Sequence, residues 1–172
     1  MENSLEVKGL TKHYRGFTLD NVSFTLPTGC IMGFIGENGA GKSTTIRLML
    51  GLARSEAGSV RLLGEDPAEG GAALREKLGV VMDDCGIPDA LSLRDMRRIL
   101  AAGYRSFDAE KFDALAARFE LPERKLVKDY SRGMRMKLSL ASALSHDCRL
   151  LILDEATSGL DPVVRDEILD LF

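Results

Sequence analysis

The sequence predicts an α/β fold in which strands flank a helical lobe, and three features predict it. A nearly continuous apolar run at residues 30–35 leads straight into a glycine-rich loop and then into helical spacing at Ile46, Met49 and Leu50. Residues 92–147 read mostly as helix, and LLIL at Leu150–Leu153 returns to a buried strand. Continuous apolar runs suit strands covered on both faces of a parallel sheet, whereas the period near 3.6 suits an amphipathic helix.

The elements follow in order. In NVSFTL, Val22, Phe24 and Leu26 alternate with polar residues before Pro27 and Gly29 break the run, which predicts a half-exposed antiparallel edge. The run at 30–35 is then the first buried parallel strand. Ser92 with Asp95 reads as a capping pair, and Phe112, Leu115, Ala116 and Phe119 make one apolar helix face. Asp161 followed by Pro162 is a start signal for a final helix.

Composition bounds the function. A chain of 172 residues, 45% apolar, suffices for one globular domain. Its 23 basic and 26 acidic residues sum to −3, giving no footprint for nucleic acid or a strongly anionic membrane surface. Cys30, Cys85 and Cys148 are odd in number and widely spaced, which suits neither a disulfide framework nor a zinc site and points to a reducing, cytoplasmic setting. No stretch approaches a membrane-spanning length, and acidic residues stand where a secretory signal would be basic.

The chemistry lies in two clusters. Residues 36–44, GENGAGKST, match G-x-x-x-x-G-K-[ST] in full, in the strand-to-helix context such a loop requires. Gly36, Asn38, Gly39, Ala40, Gly41, Lys42, Ser43 and Thr44 are thus candidate phosphate-binding residues. Lys42 would offset charge on β and γ phosphates, and Ser43 would ligate Mg²⁺. Asp154 and Glu155 end the LLIL strand, where an open α/β sheet places its ligand groups. Asp154 would hold Mg²⁺ through water, while Glu155 would polarise the attacking water. An ordinary glycine turn and a solvated acidic turn are the plainer readings, and the two motifs together outweigh them.

YSRGM at 130–134, which opens the helical stretch MRMKLSLASAL, then resembles the signature of ABC transporter ATP-binding subunits, usually LSGGQ. The resemblance implies a P-loop NTPase with a RecA-like core, an N-terminal antiparallel β subdomain (1–30 and 55–66) and a helical subdomain (84–147). The core would comprise 31–54, 67–83 and 148–172. It further implies ATP bound between two cassettes, with Ser131 and Gly133 gripping the other copy's nucleotide, Tyr14 stacking on adenine and SGLD at 158–161 forming the D-loop. The partners implied are a second cassette, identical or not, and an integral membrane permease, placing the protein peripherally at the inner face of the membrane. Methionine in place of the signature glutamine is similar to the drug- and antibiotic-peptide-exporting branch, so export is expected over uptake.

Two departures from the family stand out. Asp83 occupies the place of a glutamine that helps arrange Mg²⁺ and water, and is expected to keep a metal and coupling role. The chain stops at Phe172, before the family's further strand and γ-phosphate histidine, so a C-terminally incomplete fold with an opened core sheet and weak nucleotide binding is expected. His13 and His146 match no such histidine and read as surface residues. DNA-repair or chromosome clamps sharing these motifs would carry coiled coils or zinc modules between them, and none is seen. A regulator that binds ATP without hydrolysing it is opposed by Glu155 and favoured by Asp83 and the lacking histidine.

Overall fold

The computed structural model describes residues 2–83, 85–155 and 166. They fall into two compact units, Met1–Arg75 and Glu76–Phe172, where length alone favours one body.

The first unit is built on an antiparallel sheet of order β2-β1-β3, with β1 at Asn3–Tyr14, β2 at Phe17–Pro27 and β3 at Ala57–Leu62. Val7 faces Phe24 on one side and Val60 on the other, and Leu5, Val7 and Leu10 of the central strand are buried, as is Leu19 of β2. β2 is an edge, and its Val22, Phe24 and Leu26 are half-buried as the alternation predicts. Helix α1, Lys42–Met49, turns Thr45, Ile46, Leu48 and Met49 inward. A short helix, α2 at Gly71–Arg75, buries Leu74.

The run at 30–35 forms no strand, contrary to its apolar pattern. Ile31 is 89% exposed and Ile35 95% exposed, while the Phe34 ring lies 5.4 Å from that of Phe24. A strand exists by pairing its backbone N–H and C=O groups, and among the described residues no strand lies beside this run to pair with it.

The second unit carries a parallel pair, β4 at Leu78–Val81 and β5 at Leu150–Leu153, in register from Leu78↔Leu150 to Val81↔Leu153. Among the described residues three α-helices, α3 Leu93–Gly103, α4 Ala109–Arg118 and α5 Arg132–Leu144, and a 3₁₀ turn at Val127–Asp129 lie between them. α3 starts at a complete capping box, in which the Ser92 hydroxyl accepts from the Asp95 N–H and the Asp95 carboxylate accepts from the Ser92 N–H. The Ser92 hydroxyl, donating at 2.6 Å, and the Ser92 N–H, donating at 3.0 Å, favour the ionised carboxylate and hold the Asp95 carboxyl below the usual carboxylate range. Asp108 caps α4 by accepting from the Lys111 N–H at 2.9 Å. Phe112, Val127, Met136, Leu138 and Leu140 are fully buried around Val81, so the helices pack onto the end of β4.

His146 corrects the sequence reading. It is only 7% exposed, its Nε2 lies 3.0 Å from the Leu78 carbonyl oxygen, and its ring stacks on Tyr104 with centroids 4.2 Å apart. His13 is exposed as expected, its Nδ1 2.6 Å from a Glu56 carboxylate oxygen. The helix expected from Asp161 and the D-loop at 158–161 lie outside the described residues. Among those described, no helix is long and apolar enough to cross a membrane.

Candidate functional site

In the first unit the loop of residues 36–44 closes as a turn, with the Ala40 N–H donating to the Glu37 carbonyl at 3.1 Å. Lys42 bends back over it, donating to the carbonyls of Gly36 at 2.8 Å and Glu37 at 3.0 Å. The ammonium therefore sits over the loop that Gly36, Asn38, Gly39 and Ala40 build. Gly41 is the N-cap of α1, at φ 93° and ψ 13°. Thr45 anchors the first turn, its N–H and its hydroxyl both donating to the Gly41 carbonyl at 2.8 and 2.9 Å. Lys42, Ser43 and Thr44 are half-buried in that turn, where the helix N-terminus favours an anion.

Gly41 is required twice over. Its φ lies in the left-handed region, and an added Cβ would stand 2.6 Å from Phe17 Cζ and 3.2 Å from Leu19 Cδ1. Phe17 is a residue the sequence reading missed. It faces Tyr14 across the β1–β2 hairpin, and the two rings stack at 6.5 Å, with the Lys12 ammonium 5.7 Å over Tyr14. The hairpin thus brings Tyr14, 45% exposed, beside the ring that touches the loop. The legible signal was the pairing across Arg15 and Gly16, a two-residue turn.

In the second unit the acids gather at one end of the parallel pair. Asp154 follows β5, is 4% exposed, and its N–H donates to the Val81 carbonyl at 2.8 Å. Asp83 lies two residues beyond Val81, so it leaves the same end of the neighbouring strand. Glu155 is exposed and adopts φ 51°, a left-handed backbone that a non-glycine residue occupies only at a cost.

The stretch 130–134 begins α5. Tyr130 is buried and donates its hydroxyl to the Pro122 carbonyl at 2.8 Å, and burial pushes that phenol up from its ordinary value. Ser131 is the N-cap, its Oγ accepting from the Met134 N–H at 3.2 Å, and Gly133 lies in the first turn. Asp83 is ion-paired with the Arg132 guanidinium, a contact that the sequence reading, which assigned Asp83 to metal, did not anticipate.

The donor set suits a hard cation in one respect only. Ser43 and Asp154 offer oxygen, and among the described residues no group of three or more His, Cys, Asp or Glu side chains is placed to hold a metal alone. Mg²⁺ commonly takes one or two protein oxygens and completes its shell with phosphate and water, so each of these oxygens by itself has the chemistry that Mg²⁺ delivered with a nucleotide requires.

A glycine loop capping a helix, and acids at the carboxyl ends of parallel strands, define a P-loop nucleotide-binding protein. The chain belongs to the ABC transporter family, which it matches over residues 19–158. It is 39% identical over 173 residues to the uncharacterized ABC transporter ATP-binding protein YhcH of Bacillus subtilis, covering 99% of this chain and 57% of that protein. It is 38% identical to the bacitracin transport ATP-binding protein BcrA of Enterococcus faecalis, covering 98% of this chain and 56% of that one. A solved ATP-binding subunit of an ABC transporter superposes with a TM-score of 0.85 at 30% identity, over 96% of this chain and 72% of that structure. The chain therefore spans little more than half the length of these curated relatives.

Proposed function

We propose that this chain is the nucleotide-binding part of an ABC exporter's ATPase subunit. It binds ATP with Mg²⁺, hydrolyses it at an interface with a second cassette, and drives a separate membrane permease from the cytoplasmic side. The observation that carries the reading is the loop of residues 36–44 folded around the Lys42 ammonium at the start of α1. The likeness to a bacitracin transport protein, and the signature-like YSRGM, support export.

On this reading the Lys42 ammonium exchanges its two carbonyl acceptors for phosphate oxygens, trading neutral acceptors for charged ones, which make stronger hydrogen bonds. The N–H groups of the first α1 turn point toward the same anion, and Tyr14 gives the adenine a ring to stack on. Ser43 and Asp154 would hold Mg²⁺, which supplies positive charge against that developing on the phosphoryl oxygens. Glu155, exposed at the strand end, orients the attacking water and accepts its proton. Ser131 keeps an O–H donor after accepting the cap hydrogen bond, and Gly133 adds an N–H, so both are suited to grip a γ phosphate from the second cassette.

The test is ATP binding and turnover by the intact transporter. Glu155→Gln should retain ATP while turnover falls by about 10²- to 10⁴-fold, the usual worth of a general base. Lys42→Ala should lose ATP affinity, and unchanged affinity in that variant would overturn the reading.

A further inference from the structure

We propose that Lys12 and Glu56 are positioning residues for the nucleotide's base: Glu56 holds the Lys12 ammonium over the Tyr14 ring, and the ring so fixed is the surface on which the base stacks. The inference rests on the ATP-binding reading above and extends it to two residues which that reading leaves without a role.

All the groups involved lie in the first unit, which also carries the phosphate loop. Tyr14 pairs with Phe17 across the β1–β2 turn and their rings stack, while the Phe17 ring closes on Gly41, the N-cap of α1. A half-exposed aromatic residue therefore stands one ring away from the helix end that holds Lys42. A nucleotide bound there by its phosphates carries its base beyond a ribose, and every base has a face that stacks on an aromatic ring.

A ring free to turn loses that freedom when a ligand stacks on it, so a ring already held binds at lower cost. Phe17 is one brace. Lys12 is a second, its ammonium 5.7 Å from the Tyr14 centroid and within reach of a cation–π contact.

Lys12 is in turn fixed by Glu56. Thr11 pairs with Ala57, so the antiparallel register sets Lys12 against Glu56, the residue before β3. The Lys12 ammonium lies 3.2 Å from one Glu56 carboxylate oxygen and His13 Nδ1 lies 2.6 Å from the other, while the Glu56 N–H donates to the Thr11 carbonyl at 2.9 Å. The His13 and Lys12 contacts hold the Glu56 carboxyl below the ordinary glutamate range, so it meets the ammonium as an anion. The Lys12 and Glu56 side chains are 23% and 45% exposed, a setting in which an ion pair adds little to stability. Removing the pair should therefore leave the fold standing and loosen the Tyr14 ring.

The experiment titrates the intact protein with ATP and with inorganic tripolyphosphate, each with Mg²⁺, in a calorimeter. Tripolyphosphate suits the phosphate loop and carries no base, so the ratio of the two affinities isolates the base. Lys12→Met keeps the stem and removes the charge. That variant and Glu56→Gln should each weaken ATP binding by about two- to fivefold and leave tripolyphosphate unmoved. Lys12→Arg keeps a cation over the ring and should stay near the parent. Tyr14→Ala should weaken ATP binding by about five- to a hundredfold, again without moving tripolyphosphate. Lys8→Met, which breaks the Lys8–Glu6 pair elsewhere on β1, should change neither affinity.

Unchanged ATP affinity in Lys12→Met or in Tyr14→Ala would overturn the proposal. An equal loss for ATP and tripolyphosphate would also overturn it, by assigning the pair a purely structural role. Lys42→Ala serves as the separate control: tripolyphosphate and ATP binding that survive it defeat the underlying ATPase reading, whatever Lys12 does.

Discussion

Replacing Gly41 with alanine should damage the protein through two additive causes, and a second substitution should separate them. At φ 93° a residue with a Cβ pays about 1–2 kcal/mol for the left-handed backbone. The new methyl would also stand 2.6 Å from Phe17 Cζ, well inside the ordinary carbon–carbon separation of about 3.5–4.0 Å. The ring must retreat by roughly 1 Å, at an overpacking cost of about 1–3 kcal/mol. The sum is about 2–5 kcal/mol, divided between lost stability and a distorted phosphate loop. Urea unfolding of the intact protein measures the first part, and titration with a fluorescent ATP analogue the second. Gly41→Ala with Phe17→Leu should recover the steric share and leave the backbone share in place. A Gly41→Ala protein within about 0.5 kcal/mol of the parent, the scatter of neutral surface changes, would refute the reasoning. So would complete rescue, because the φ penalty does not depend on Phe17.

Phe112 is fully buried between the helices of the second unit, so Phe112→Ala should cost about 3–5 kcal/mol in chemical denaturation, and more than Ile99→Ala, whose side chain is half exposed. The Ser106 N–H and hydroxyl both donate to the Glu76 carboxylate, at 2.7 and 2.8 Å, and hold its pKa below the ordinary glutamate value. The folded pKa is lowered, so the contribution is full above the unfolded value of about 4.3 and fades as pH falls through the folded one. Ser106→Ala should therefore lose stability near neutrality and show a shallower acid limb in a pH series of unfolding midpoints, and an unaltered limb would contradict the assignment.

How far the sequence alone reaches depends on how local the physics is. The capping box at Ser92, the apolar face of α4, the edge character of β2 and the strand at Leu150–Leu153 are each set by neighbours a few residues apart, and each was legible. The loop at 36–44 was legible for the same reason, since every residue it needs is contiguous. The run at 30–35 was misread because apolar character states that a strand is suited to burial, while pairing is supplied by another strand. His146 was misread because its burial depends on Tyr104 and Leu78, both distant in sequence. Phe17 and Arg132 escaped notice because their partners, Gly41 and Asp83, meet them only after the hairpin and the β4–α5 packing have formed.

The backbone at Glu155 narrows which residues can follow the β5 strand, independently of any reaction. At φ 51° asparagine, aspartate and glycine are at ease, whereas valine, isoleucine and threonine collide with their own main chain. Aspartate would shorten the reach of the carboxylate and at the same time relax the chain, so its consequences would mix two causes. Glutamine changes only the charge. Variation at this position across related proteins should accordingly be filtered by conformation first and by reactivity second, leaving β-branched residues excluded even from relatives that have abandoned hydrolysis.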